Sequence, residues 1–225
     1  MTSLWHWIPA YNYQVSADVM LQCRADAVSL AKAGIDVHAS VGHSCDLLAM
    51  RNDAVDRAVA SGVDYLFMQD ADTSSPMVGG PVLPMLETMR ETGAAAVFAI
   101  VTMRNMGEER ANVWPCKPGE VFDVTKAGTG MVLIDINQIK PWYEAYDGPL
   151  FHVLYESKRS ARKRMSMDVF FTKFLRGEYE GVKPALRVVC DGRIPTRHAN
   201  AMSVLDYDPS DWADAPDLDD NKDAA

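Results

Sequence analysis

The chain reads as a single α/β domain, in which a parallel sheet built from alternating β and α segments runs without a linker into a second half of mixed strands and helices. Three observations lead there. Short apolar runs alternate with stretches of helical period up to residue 103. The third run, "VDYLFMQ" at 63–69, is almost continuously apolar, as a strand covered on both faces must be. Glycines at 34, 62 and 93 close the helical stretches, glycine being the residue that most readily ends a helix.

In chain order, "LWHWI" (4–8) is a strand closed by Pro9, and "SADVMLQCRADAVSLAKAG" (16–34) is a helix capped by Ser16. "IDVHAS" is a second strand, followed by a helix from about Ser44 to Ser61 and by the strand 63–69. "GPVLPMLETMRETG" gives a helix with an early proline, and "AAAVFAIVTM" (94–103) a fourth strand. This βαβαβαβ order predicts a parallel sheet with helices on both faces. Beyond it the spacing predicts a hairpin around "NVWPCKPGEVFDV", a strand "GMVLIDI", a short helix near 137–146, a helix from Ser166 to Gly177 and strands within "ALRVVCDGRIPTRH". No internal repeat is present.

At 225 residues and 48% hydrophobic, the chain suffices for one well-buried core. From Asp206 onward there are eight aspartates and one lysine, net −7, so of the total −9 the first 205 residues carry only −2. Residues 1–205 are therefore read as the domain, and 206–225 as an acidic tail, disordered or loosely docked through Trp212. Cysteines at 23, 45, 116 and 190 show neither a C-x-x-C pair nor zinc spacing, which suits a reducing compartment. The start has no basic, apolar leader pattern and the longest apolar run, 94–101, is too short to span a bilayer, so a soluble, cytoplasmic protein is expected.

The third strand runs straight into "DADTSSP", placing Asp70 and Asp72 where open α/β sheets bind ligands, beyond the strand's carboxyl end. Two carboxylates this close repel each other by about a few kcal/mol at intermediate dielectric. They call for a divalent cation or a shared proton, unless both simply cap the following turn.

Two families place D-x-D at the end of a buried strand. "FMQDADT" resembles the opening D-x-D-x-T of haloacid-dehalogenase-like phosphatases, in which Asp70 would be the nucleophile and Asp72 the acid/base. That motif normally lies on the first strand and needs a later acidic pair, whereas here Asp191 stands alone in "CDG" and the adjacent pair Asp219-Asp220 lies in the tail. The chain also resembles the metal-dependent glycosyltransferases of the GT-A fold, of the compact bacterial and viral type. Four further segments carry that resemblance: "IPAYN" (8–12), "AMRNDAVDRAVASGVDYLFMQDAD", "AGTGMVLI" (127–134), and "SMDVFF" followed by "RH" (197–198).

The resemblance implies a Rossmann-like nucleotide-binding half fused to a mixed-sheet acceptor half. It implies a nucleotide-sugar donor (UDP- or GDP-sugar) held by Pro9, Ala10, Tyr11, Arg51, Asn52, Asp70 and Ala71 together with Gly128, Thr129 and Gly130. It implies Mn²⁺ or Mg²⁺ on Asp70, Asp72 and His198, and Asp168 as general base in an inverting transfer to an acceptor hydroxyl, with retention left open. The acceptor, whether small molecule, glycan, protein or modified DNA, stays open, and so does a non-catalytic nucleotide-sugar-binding module of the same fold.

Each residue also has a reading of its own. Arg51 shares a helix face with Leu47, Leu48, Val55, Ala58 and Val59, so it must meet an anion, either Asp70 or a phosphate. Asn52 reads a base or caps a loop. Met167, Phe170, Phe171 and Phe174 form an apolar stripe that leaves Asp168 in the first turn, where an aspartate also favours the helix dipole. His198 ends a polar strand, and a nitrogen ligand beside carboxylates suits Mn²⁺ better than Ca²⁺. The run "SKRSARKR" (157–164) reads as a solvated loop, a lid over a diphosphate, or a patch for an anionic acceptor such as DNA.

Overall fold

The computed structural model describes residues 2–10, 14–44, 46–101, 111–155, 163–178 and 185–198. Tyr11, Cys45, residues 156–162 of the basic segment and the acidic tail with Trp212 lie outside the described residues.

The first half follows the expected alternation. β1 (Ser3–Ala10) runs past the anticipated stop, because Pro9 lies beyond the last β1–β3 pair, Trp7 with Met68, near a strand end where proline is tolerated. α1 (Ala17–Lys32) starts at Ser16, whose hydroxyl accepts from the Val19 amide. β2 (Asp36–His43) follows. α2 (Leu47–Ser61) starts three residues later than expected, since Asp46 supplies the cap by accepting from the Ala49 amide, and it ends at Gly62 with φ 71°. β3 (Tyr65–Gln69), the short β4 (Thr73–Ser74), α3 (Val82–Thr92) and β5 (Ala96–Ala99) complete this half.

The second half contains β6 (Val113–Trp114), β7 (Val121–Asp123), β8 (Lys126–Ala127), β9 (Met131–Asp135) and α4 (Ile136–Ala145). After these come β10 (Leu154–Tyr155), β11 (Lys163–Met165), α5 (Met167–Leu175), β12 (Val188–Asp191) and β13 (Arg197–His198).

The main sheet has seven strands in the order β2-β1-β3-β9-β5-β12-β7. It is mixed, which corrects the expected uninterrupted parallel sheet: β9 inserts between β3 and β5 and is antiparallel to both. The expected hairpin is also absent. β6 pairs with β8, while β7 crosses to β12, anchored where the Gly192 amide donates to Glu120 O (2.7 Å) and the Gly119 amide to Gly192 O (2.9 Å). Gly192 is required there, because a Cβ would come within 2.4 Å of the Lys117 carbonyl oxygen.

Both faces of the central strands are buried, whereas the edge strand β2 is largely exposed. Leu66, Met68, Phe98, Val132 and Ile134 pack with Met50 and Ala54 of α2, Ile139 of α4 and Phe170 and Phe174 of α5. Phe67, Val97, Met131 and Leu133 pack on the other face with Leu30 of α1 and Met85, Leu86 and Met89 of α3. Among the described residues, no helix is long and apolar enough to cross a membrane.

Candidate active site

β3, a central strand, ends at Gln69 and places Asp70 at its carboxyl end. There the Asp70 amide donates to Gly130 O (2.8 Å), so the start of β9 lies beside the aspartate. Facing it from α2 is Arg51, only 3% exposed, whose Nη2 donates to Asp70 Oδ1 at 3.0 Å. Its Nη1 donates to Asp168 Oδ1, in the first turn of α5. The Thr129 hydroxyl donates to the same Asp168 oxygen at 2.5 Å. The helix α5 is docked by Phe170, Phe171 and Phe174 in the core and by the Thr172 hydroxyl donating to Ala127 O (3.2 Å).

One guanidinium thus ties the end of β3 to the start of α5. Burial opposes the charge on Arg51, but the two carboxylates outweigh burial and raise its pKa. Burial also pushes the pKa of Asp70 up, with Arg51 acting against that shift and Asp168 and Asp72 adding to it. Two carboxylates thus share one guanidinium, and a third, Asp72, lies two residues from the first.

His198 reaches the same neighbourhood through β13, which pairs antiparallel with β4 and sets His198 opposite Thr73. Its Nε2 lies 3.4 Å from Asp72 Oδ1. The anticipated three-ligand metal set is therefore divided: Asp72 meets His198, whereas Asp70 is engaged by Arg51. Among the described residues, no group of three or more His, Cys, Asp and Glu side chains is placed to hold a metal ion. The reason is that Asp70 and Asp72 flank a tight turn, closed by the Thr73 amide donating to Asp70 O (3.1 Å), which aims them at different neighbours.

These groups border a cavity of about 540 Å³. Arg51, Asp70, Asp168, His198 and the Gly128-Thr129-Gly130 segment line it, together with Val113, Trp114, Lys126 and Val169. Pro9, Ala10, Asn52, Ala71 and Asp72 do not line it; Asp72 meets it through His198. Asn52 spends its amide on backbone: Nδ2 donates to Phe151 O (3.0 Å) and Oδ1 accepts from the Phe151 amide (2.9 Å), the loop-capping alternative. Ala71 O accepts from the Ser16 amide at 2.8 Å.

Sequence reasoning missed Asn112 and Trp114. Asn112 Oδ1 accepts from the Val101 amide (2.7 Å) and its Nδ2 donates to Gly128 O (3.0 Å), holding the glycine segment against the end of β5. Its partners lie 11 and 16 residues away along the chain, so no local pattern marks it.

Fold and site together define a mixed-sheet α/β protein with an arginine-bridged carboxylate cavity at the carboxyl ends of its central strands. No family model matches the chain, and no curated protein matches its sequence. Among solved structures, the chain is similar to A197 from STIV, at TM-score 0.53 and 16% identity over 88% of this chain and 85% of that one, a likeness of fold. It also matches a Drosophila β1,4-galactosyltransferase 7 variant in complex with manganese, UDP-Gal and xylobiose (TM-score 0.47, 12% identity, 90% of this chain and 70% of that one). A third match is a glycosyltransferase involved in glycosylation of the major capsid of PBCV-1 (TM-score 0.41, 9% identity, 84% of this chain and 81% of that one). At those two scores the likeness carries no conclusion about chemistry.

Proposed function

We propose that the chain is a metal-dependent glycosyltransferase that moves a sugar from a UDP- or GDP-sugar to an acceptor hydroxyl with inversion. The observation that carries this reading is the Arg51 bridge, which sets Asp70 of the D-x-D turn and Asp168 at the start of α5 against one cavity wall.

Asp72 and His198 set a carboxylate and an imidazole side by side, a ligand pair that suits Mn²⁺. Asp72 and His198 would hold the ion, with donor phosphates and water completing its shell, as is usual for such ions. When bound, it supplies charge stabilisation for the departing nucleoside diphosphate. Asp70 adds its charge to the same end of the cavity while Arg51 keeps it oriented.

Asp168 takes the acceptor proton. Both of its hydrogen bonds among the described residues fall on Oδ1, from Arg51 and Thr129, so Oδ2 is the oxygen that receives it. Arg51 and Thr129 fix the carboxylate's rotamer, and the Gly128-Thr129-Gly130 backbone bounds the space for the reacting sugar.

Two substitutions test this. Asp72→Asn should abolish Mn²⁺-dependent donor binding and transfer together. Asp168→Asn should leave donor binding intact while transfer falls roughly 10²–10⁴-fold, the range for a lost general base. Release of phosphate from a phosphomonoester by the parent chain, abolished by Asp70→Asn, would replace this reading with a phosphatase. Donor binding without turnover in the parent would replace it with a binding module.

A further inference from the structure

Beneath the D-x-D turn lies a buried polar network that the proposed chemistry does not use. Gln22 of α1 and Gln69 of β3, 4% and 0% exposed, face each other as a cyclic amide pair. Gln22 Nε2 donates to Gln69 Oε1 (3.0 Å) and Gln69 Nε2 donates to Gln22 Oε1 (3.0 Å). The pair is anchored to the turn by two backbone groups: the Ser75 amide donates to Gln22 Oε1 (2.6 Å), and Gln69 Nε2 donates to Thr73 O (2.6 Å).

Those two anchors dictate every other orientation. An amide N–H can donate only to an oxygen and a carbonyl can accept only from a donor, so neither glutamine can be flipped. Gln69 Oε1 then also accepts from His6 Nε2 (2.9 Å), leaving His6 Nδ1 as the acceptor facing Cys23 Sγ at 3.4 Å. The second Gln22 proton goes to Asp26 Oδ2 (3.2 Å), and Asp26 Oδ1 accepts from the Val82 amide (3.1 Å). Both amides are saturated, which in a buried site specifies one arrangement rather than several.

We infer that Gln22 and Gln69 are positioning residues that set the conformation of the 70–75 turn and thereby aim Asp72 at its cation. This rests on the metal-dependent reading of the site above. The ends of the turn are held by the Asp70 amide on Gly130 O and the Thr73 amide on Asp70 O, by Ser16 on Ala71 O and by β13, and the Thr73 hydroxyl donates to Asp72 Oδ1 (3.4 Å); the amide pair adds the bonds to Thr73 O and Ser75 N that fix the residue following Asp72. A core filled with apolar residues at 22 and 69 would pack as well, but it would leave the Ser75 amide and the Thr73 carbonyl without these partners.

The test uses Gln22→Met, nearly equal in volume but without the amide. Cys23→Ala is the control: it perturbs the same network at His6 without touching the turn. Two readouts are taken, Mn²⁺ affinity by titration calorimetry without donor, and amide hydrogen exchange over residues 70–77. Gln22→Met should weaken Mn²⁺ binding about 10–100-fold, the range for lost outer supports of a metal ligand. It should also raise exchange over residues 70–77 more than over the strands of the main sheet, while the lost buried hydrogen bonds lower its melting temperature. Cys23→Ala should keep the parent affinity. Should Gln22→Met not fold, Gln22→Asn, which withdraws the amide by one methylene, carries the same expectation. Unchanged exchange in the turn, or unchanged Mn²⁺ affinity in a folded Gln22 variant, overturns the inference while leaving the metal reading intact. Absence of Mn²⁺ and Mg²⁺ binding in the parent chain overturns both.

Discussion

At Arg51, an almost fully buried guanidinium holds two carboxylates that are a quarter to a third exposed, Asp168 at 25% and Asp70 at 32%. Removing it leaves two like charges facing each other without a counterion. Loss of one partner of a buried pair typically costs about 3–5 kcal/mol, and the partial exposure of both aspartates lowers that for Arg51→Met to about 2–3 kcal/mol in urea unfolding. Arg51→Lys keeps the charge but not the planar fork, so it should fall between parent and Arg51→Met. In the Arg51→Met background, Asp168→Asn should be neutral or stabilising, because it then removes repulsion. An additive double-mutant cycle would show that the bridge contributes nothing. That Arg51 needed an anion was legible from its place among the leucines and valines of α2. That Asp168, 117 residues away, is one of the two was not.

Where α1 packs against β1 and β3, His6 and Asp26 are both about 1% exposed and titrate in opposite directions. Burial pushes His6 down to about 4, with its Gln69 bond acting the other way. Burial pushes Asp26 up to about 7, against its bonds to the Val82 amide and Gln22. As pH falls from about 6.5 to about 4, the unfolded chain protonates His6 before the folded one does, so roughly 3 kcal/mol of stability is lost. As pH falls from about 7 to about 4, the folded chain protonates Asp26 first, so roughly 4 kcal/mol is gained. The Cys23 thiol, pushed up to about 12 by burial and then by Asp26, is silent across this range. In the parent the two effects oppose each other. His6→Gln should therefore be more stable at pH 5 than at pH 7.5, and Asp26→Asn less stable, each by roughly 2 kcal/mol. Denaturation at the two pH values checks this; slopes of the same sign in both variants would contradict it. The sequence showed α1 as a helix but not this network, because polar residues at 22 and 26 look like solvent-facing positions until β3 supplies Gln69.

For the molecule as a whole, the proposed function predicts that a donor set against α2, β3, β9 and α5 binds only the folded state and so raises the melting temperature. At a free concentration of about 100 times Kd the stabilisation is about 2.7 kcal/mol, or roughly 5–10 °C for a domain of this size. The shift with UDP or GDP should require Mn²⁺ or Mg²⁺ and should be lost in Asp72→Asn. An equal shift with and without metal would argue against Asp72 and His198 as its ligands.

What the sequence by itself determined was local: helix starts at Ser16 and Ser166, helix stops at Gly34, Gly62 and Gly93, the buried run of β3, and the placing of Asp70 and Asp72 at its carboxyl end. Capping, glycine conformation and apolar periodicity act over a few residues, so a linear reading captures them. Tertiary structure alone decided the insertion of β9 between β3 and β5, which turned the expected parallel sheet into a mixed one and brought Gly130 beside Asp70. It also decided that Asp70 pairs with Arg51 while Asp72 turns to His198, and that Asn112 holds the glycine segment. Each of these is a pairing between distant parts of the chain. Such pairings follow from which strand edges and helix ends are left unsatisfied once the local elements have formed, and no short stretch of sequence carries that information.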